Sequence, residues 1–307
     1  MTIRFSLKQT PYISACFFSL LLTNGTSAAD NVTRYNAVFK STSAYCFSYV
    51  NGLSVLDNLM TSSGTASAGY DITAILENGL NTLSIKVASV TAPQNLDFVS
   101  DAKCEFSVVP YGTKDEQDSI PVLATVNDNN RATGLNTPHY SGTKLLGTVE
   151  EGTVEGSVLY EVKRTFVAAG LPNWSWTTSE PYTLSQNNLQ KLRDRYLALW
   201  ALLSQKDADA LGAESEIAMR EHGLSIGYSA DEYWQSFGFK QDFADGYEAL
   251  PIDWSLYDFV SYKNGRLFRL EDPDGQSPLR IGKKEEESYI TYNPLFSYID
   301  GKLVITR

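Results

Sequence analysis

Only two cysteines, Cys46 and Cys104, lie beyond the first thirty residues of this 307-residue chain, and the segment ahead of them decides how they are read. Arg4 and Lys8 precede an apolar run from Tyr12 to Leu22. Thr23-Asn24-Gly25-Thr26-Ser27-Ala28-Ala29-Asp30 follows. A basic start, a short apolar stretch and a small-residue cleavage site make a secretory signal peptide. Ser27 and Ala29 supply the small side chains for cleavage before Asp30, so residues 1–29 are expected to be the leader. The run is too short for a membrane-spanning helix, which needs about 20 apolar residues. Ile13-Ser14-Ala15-Cys16 has the form of a lipoprotein cleavage box, but Phe17 to Leu22 continue the apolar segment past Cys16, which argues against lipidation there. The expectation is a periplasmic or secreted protein with no stable membrane span. In such a compartment Cys46 and Cys104 read as a disulfide. One bond then ties together points 58 residues apart, so the chain around them must fold as a compact, cross-braced unit.

Between the two cysteines the pattern is short β-prone runs separated by turns. Tyr45–Val50 ends in Asn51-Gly52, a dipeptide whose two residues tolerate positive φ and so suit a tight hairpin. Thr82–Val87 alternates apolar and polar side chains, and Cys104–Val109 is a further strand candidate. The reading is an antiparallel β-sandwich over residues 30–118. Val50-Asn51-Gly52, Tyr70-Asp71-Ile72-Thr73, Leu76, Gly79, Asn81-Thr82-Leu83 and Ile85-Lys86-Val87 together resemble the galactose-binding-like jelly roll, over about residues 45–110. That module accompanies many glycoside hydrolases. The resemblance implies a fold, with these residues building turn and strand, and it carries over no binding residue.

Residues 119–307 change character. Ser119–Val126 and Val158–Val167 read as strands, with a loop over 127–142. Ser185 is a candidate N-cap, and Leu189, Leu192, Tyr196, Leu199, Trp200 and Leu203 recur at spacings of three and four. Helical segments are expected over about 185–235, with Gly223 ending one of them, and hairpins over about 255–307 around Lys263-Asn264-Gly265 and Asp300-Gly301-Lys302. Helices packed on an antiparallel meander make the whole chain an α+β protein. This second part is loosely similar to the cone-shaped fold of nuclear-transport-factor-like proteins, which host both enzymes and binders.

Chemistry is sparse. With 25 basic against 36 acidic side chains, the net charge of −11 argues against nucleic-acid binding, which needs a basic face. Two histidines and three cysteines leave few ligands for a zinc site, so no metal or cofactor is expected. Gly223-Leu224-Ser225-Ile226-Gly227 matches a nucleophile elbow, but a helical pattern precedes it and both histidines, His139 and His222, lie upstream, the wrong order for that fold. Trp174 and Trp176 alternate and would share one face if extended, as a binding ledge or as interdomain packing. Asp231, Glu232, Asp242, Asp245, Glu248, Asp253 and Asp258 are interleaved with Tyr233, Trp234, Phe237, Tyr247 and Trp254. Trp174, Trp176, Trp234 and Trp254 are therefore the ligand-binding candidates. The leading reading is an exported non-enzymatic protein that binds a protein or glycan. The alternatives are a carbohydrate-active hydrolase using carboxylates in 231–258, since such hydrolysis needs paired acids and aromatic faces, and an envelope structural or assembly factor.

Overall fold

The computed structural model describes residues 32–111, 119–127, 129–134, 149–283 and 288–307. The expected leader, Cys16, His139 and part of the loop read over 127–142 lie outside the described residues.

Two five-stranded antiparallel sheets form the N-terminal unit. One runs β4 (Ala66–Asp71), β1 (Tyr35–Thr42), β6 (Lys103–Pro110), β7 (Ile120–Val126), β8 (Ala132–Gly134). The other runs β3 (Leu53–Asp57), β2 (Ala44–Val50), β5 (Gly79–Ser89), β10 (Tyr160–Ala168), β9 (Glu150–Thr153). Alternation builds the interior: β1 buries Tyr35, Ala37 and Phe39, and β6 buries Cys104, Phe106 and Val108. Cys46 and Cys104 are joined by a disulfide, Cα atoms 6.0 Å apart, linking one sheet to the other.

The sandwich does not stop at residue 118. Strands β7 to β10, which the sequence reading placed in the second part, pair into it, the whole of β10 lying along β5 from Tyr160↔Val87 to Ala168↔Gly79. Partners 73 to 89 residues apart leave no local trace in sequence, and the sandwich strands run on to Ala168. The turn residues behave as read. Asn51 and Gly52 take φ of 54° and 85°. Asn51 also accepts a hydrogen bond from the Thr82 amide and donates to Asn81 and to the Ile75 carbonyl.

Beyond residue 170 the chain is helical and then returns to sheet, which makes the class α+β. The helices are α1 (Gln186–Ser204), α2 (Ala208–Glu214), α3 (Glu216–Ile226), α4 (Ala230–Gln235) and α5 (Phe239–Ala244). Ser185 caps α1 by accepting from the Asn188 amide, and Leu192, Tyr196, Leu199 and Leu203 form its buried stripe. They cover two small antiparallel sheets. The first is β11 (Glu248–Ala249), β14 (Leu279–Gly282), β15 (Tyr289–Tyr292); the second is β12 (Asp258–Tyr262), β13 (Leu267–Glu271), β16 (Phe296–Ile299), β17 (Lys302–Ile305). Gly223 does not end its helix, as the sequence reading expected. Helix α3 continues to Ile226, and Gly227 takes the left-handed position, its amide bonding back to the Gly223 carbonyl.

The two units share a seam. Glu77 at the end of the sandwich receives a two-pronged pair of bonds from Arg266, each 2.8 Å, and a 2.5 Å contact from Lys263 Nζ. Arg307 places Nη1 2.6 Å from Glu221 and donates through Nε to the Ala74 carbonyl. No helix among the described residues is long and apolar enough to cross a membrane.

Candidate functional site

The tryptophans separate into two groups. Trp174 and Trp176 are 1% and 0% exposed, so they form no ledge. The guanidinium of Arg307 lies 5.1 Å from the Trp174 ring centre and 5.9 Å from that of Trp176, and Arg266 covers Trp176 at 5.3 Å. Both rings are spent on the seam, where cations against aromatic faces stabilise packing out of water. Trp254 is partly buried against the helical core, with Arg193 over its ring at 5.4 Å. Trp234 lines a cavity.

That cavity has a volume of about 590 Å³ and lies where α2, α4 and α5 meet. Local chemistry builds it. Ser229 and Glu232 form a reciprocal capping box that starts α4, and Gly238, with φ of 77°, turns the chain directly into α5. Phe239 is thereby buried beneath Trp234, their ring centres 5.3 Å apart, with Phe237 stacked on the indole at 5.7 Å. Gly212 on α2 leaves room for the indole edge: a methyl group there would stand 2.6 Å from Nε1 of Trp234. Asp209, Asp231, Gln235, Lys240 and Gln241 complete the lining.

Some of these polar groups are already engaged. Lys240 pairs with Asp209 at 2.7 Å, and Gln241 donates to Asp245. The indole N–H of Trp234, the carboxylate of Asp231 and the amide of Gln235 take no side-chain partner among the described residues. An apolar floor with a few unengaged, convergent polar groups is the usual composition of a small-ligand site. Gln235 and Phe239 escaped the sequence reading. Their signal is Gly238 between two short amphipathic segments, which forces the helical corner.

Several acids of 231–258 have separate structural roles or surroundings. Glu232 caps α4, Asp253 caps the short turn at Trp254–Leu256, Asp245 receives Gln241, and Asp242 is buried. Asp231 lines the cavity, beside Asp209 from α2. The Gly223–Gly227 segment is helix rather than elbow. Ser225 donates to the His222 carbonyl at 2.7 Å and lies 3.5 Å from Asp71, while the His222 ring stacks on Tyr233. Burial, helped by the charge of Arg307, pushes His222 down to about 3, so the imidazole is neutral. Burial likewise pushes Tyr233 up to about 12, reinforced by Tyr70 and Asp71. No group of three or more metal-ligating side chains occurs among the described residues. Compared with known proteins, the chain gives no match to a family model, to a curated protein or to a solved structure.

Proposed function

We propose that this chain is an exported, non-enzymatic glycan-binding protein whose site is the Trp234 cavity. The observation that carries the reading is the unengaged trio of Trp234 indole N–H, Asp231 carboxylate and Gln235 amide over a Phe239 floor. Sugars present hydroxyls for such groups and an apolar face for an aromatic wall. The leader-like N-terminus and the Cys46–Cys104 disulfide support export. The resemblance of the sandwich to the galactose-binding-like jelly roll supports a place among carbohydrate-associated proteins, with the sandwich as scaffold.

A glycan array probed with the purified protein, followed by calorimetry on the strongest ligand, tests the site. Trp234→Ala and Gln235→Ala are expected to weaken binding about tenfold or more, equivalent to about 1.4 kcal/mol, with circular dichroism unchanged. Binding that survives both substitutions places the site elsewhere. Glycan cleavage that Asp231→Asn abolishes makes the chain a carbohydrate-active hydrolase instead. Capture of a stable envelope complex with no glycan binding makes it an assembly factor.

A further inference from the structure

Three ionisable side chains line the Trp234 cavity, and their charges do not cancel. Two are carboxylates, Asp209 and Asp231, and one is an ammonium, Lys240. Lys240 lies 2.7 Å from Asp209, so the cation from α5 is spent on the carboxylate from α2. Asp231 makes no ion pair among the described residues, which leaves the lining with a net negative charge carried by that one side chain. Its neighbour Glu232 is occupied elsewhere, accepting from the Ser229 amide and hydroxyl.

Helical spacing aims the free charge. Asp231, Trp234 and Gln235 stand at i, i+3 and i+4 in α4, the spacing at which side chains share a face. The carboxylate therefore lies one turn from the indole, with Cβ atoms about 5–6 Å apart. The indole itself is held in place: Phe239 packs under it and Gly212 admits its Nε1 edge. Both parts of this wall favour a cation. An aromatic face attracts positive charge through its quadrupole, and a carboxylate takes an ammonium by a charge-assisted hydrogen bond. An anionic sugar would meet Asp231 with no counter-ion, and a neutral sugar would offer it hydroxyls alone.

We infer that the glycan taken by this cavity is a basic amino sugar, one with a free ammonium group, its ring on Trp234 and its ammonium on Asp231. The inference rests on the glycan-binding reading of the same site and names the class of sugar within it. In an amino sugar the nitrogen is bonded directly to the ring. Ring and charge thus arrive together and fit the single helical turn between indole and carboxylate. N-acetylation removes the charge and with it the reason for the preference. The chain as a whole carries −11 and attracts any cation, but that general attraction is screened beyond about 8 Å at physiological ionic strength. A short contact at Asp231 is not.

Four probes separate local recognition from general attraction: the β-linked glucosamine tetramer, its N-acetylated counterpart, the glucose tetramer of the same linkage, and tetralysine as a cation without sugar rings. Each is titrated calorimetrically into the full chain at about pH 6, where the amines are charged. The glucosamine tetramer is expected to bind about tenfold or more tightly than the other three, the margin between a charge-assisted and a neutral hydrogen bond. Asp231→Asn is expected to bring the ratio of glucosamine-tetramer to glucose-tetramer affinity close to one. Trp234→Ala is expected to weaken the glucosamine tetramer about tenfold, with circular dichroism unchanged in both variants. A neutral glycan that binds as tightly through Trp234 overturns the amino-sugar assignment and leaves the glycan-binding reading standing. No glycan bound at about 1 mM removes both. Equal binding of tetralysine, or a glucosamine-tetramer preference that survives Asp231→Asn, overturns the assignment by giving the attraction to the overall charge of the chain.

Discussion

Individual side chains hold the seam. Glu77 is the clearest case: burial alone opposes its ionisation, but hydrogen bonds from Arg266 and Lys263, and their charges, hold its carboxyl below the ordinary range. Removing it leaves two largely buried cations without a counter-ion. Glu77→Ala is expected to cost about 2–4 kcal/mol in denaturant unfolding, since breaking a buried pair costs more than the pair contributes. His222 makes a pH prediction. Its folded pKa of about 3 lies below its ordinary 6.5, so the unfolded chain binds the extra proton first as pH falls. Its contribution to stability is present above pH 6.5 and is lost between there and about 3. Glu77 acts in the same direction at lower pH, through the carboxylate range. Unfolding midpoints measured from pH 7 to 4 are expected to fall, and His222→Phe, which keeps the stack on Tyr233, is expected to flatten the upper part of that slope.

At the scale of elements, helix ends and tight turns were legible because their causes are local. Ser185, Asn51-Gly52, Lys263-Asn264-Gly265 and Asp300-Gly301 all behave as their chemistry dictates, with positive φ at each turn. Ser185→Ala is expected to lower stability by about 1 kcal/mol through loss of the α1 cap. Gly227→Ala should cost a similar ~1 kcal/mol, because Gly227 has φ of 87°. Its β-carbon would also stand 2.8 Å from Arg34. The end of α3 was misplaced at Gly223 because Gly227, one turn further on, takes the left-handed position instead. A methyl group at Gly223 would lie 2.6 Å from the Tyr228 carbonyl, so this glycine leaves room for the chain folding back over the helix after Gly227. Within the stretch read as loop, β8 forms because β7 offers it an edge.

For the molecule as a whole, the seam makes two units unfold as one. Tyr262, Leu267 and Leu295 from the second unit belong to the same buried cluster as the sandwich strands, alongside the Glu77 and Arg307 pairs. A single calorimetric transition is expected, and two separate transitions in the oxidised protein would contradict the shared core. Reducing Cys46–Cys104, which closes a loop of 58 residues, is expected to cost about 4 kcal/mol on the chain-entropy model. The amino-acid order by itself determined the α+β class, the α1 stripe and the hairpin turns, because each follows from patterns among neighbours a few residues apart, and it determined the Cys46–Cys104 link because these are the two cysteines beyond the leader-like segment. Only the tertiary structure decided that β10 completes the sandwich and that Trp174 and Trp176 are walled in by arginines while Trp234 faces a cavity. Those outcomes depend on which distant surfaces meet, and periodicity along a chain carries no record of such meetings.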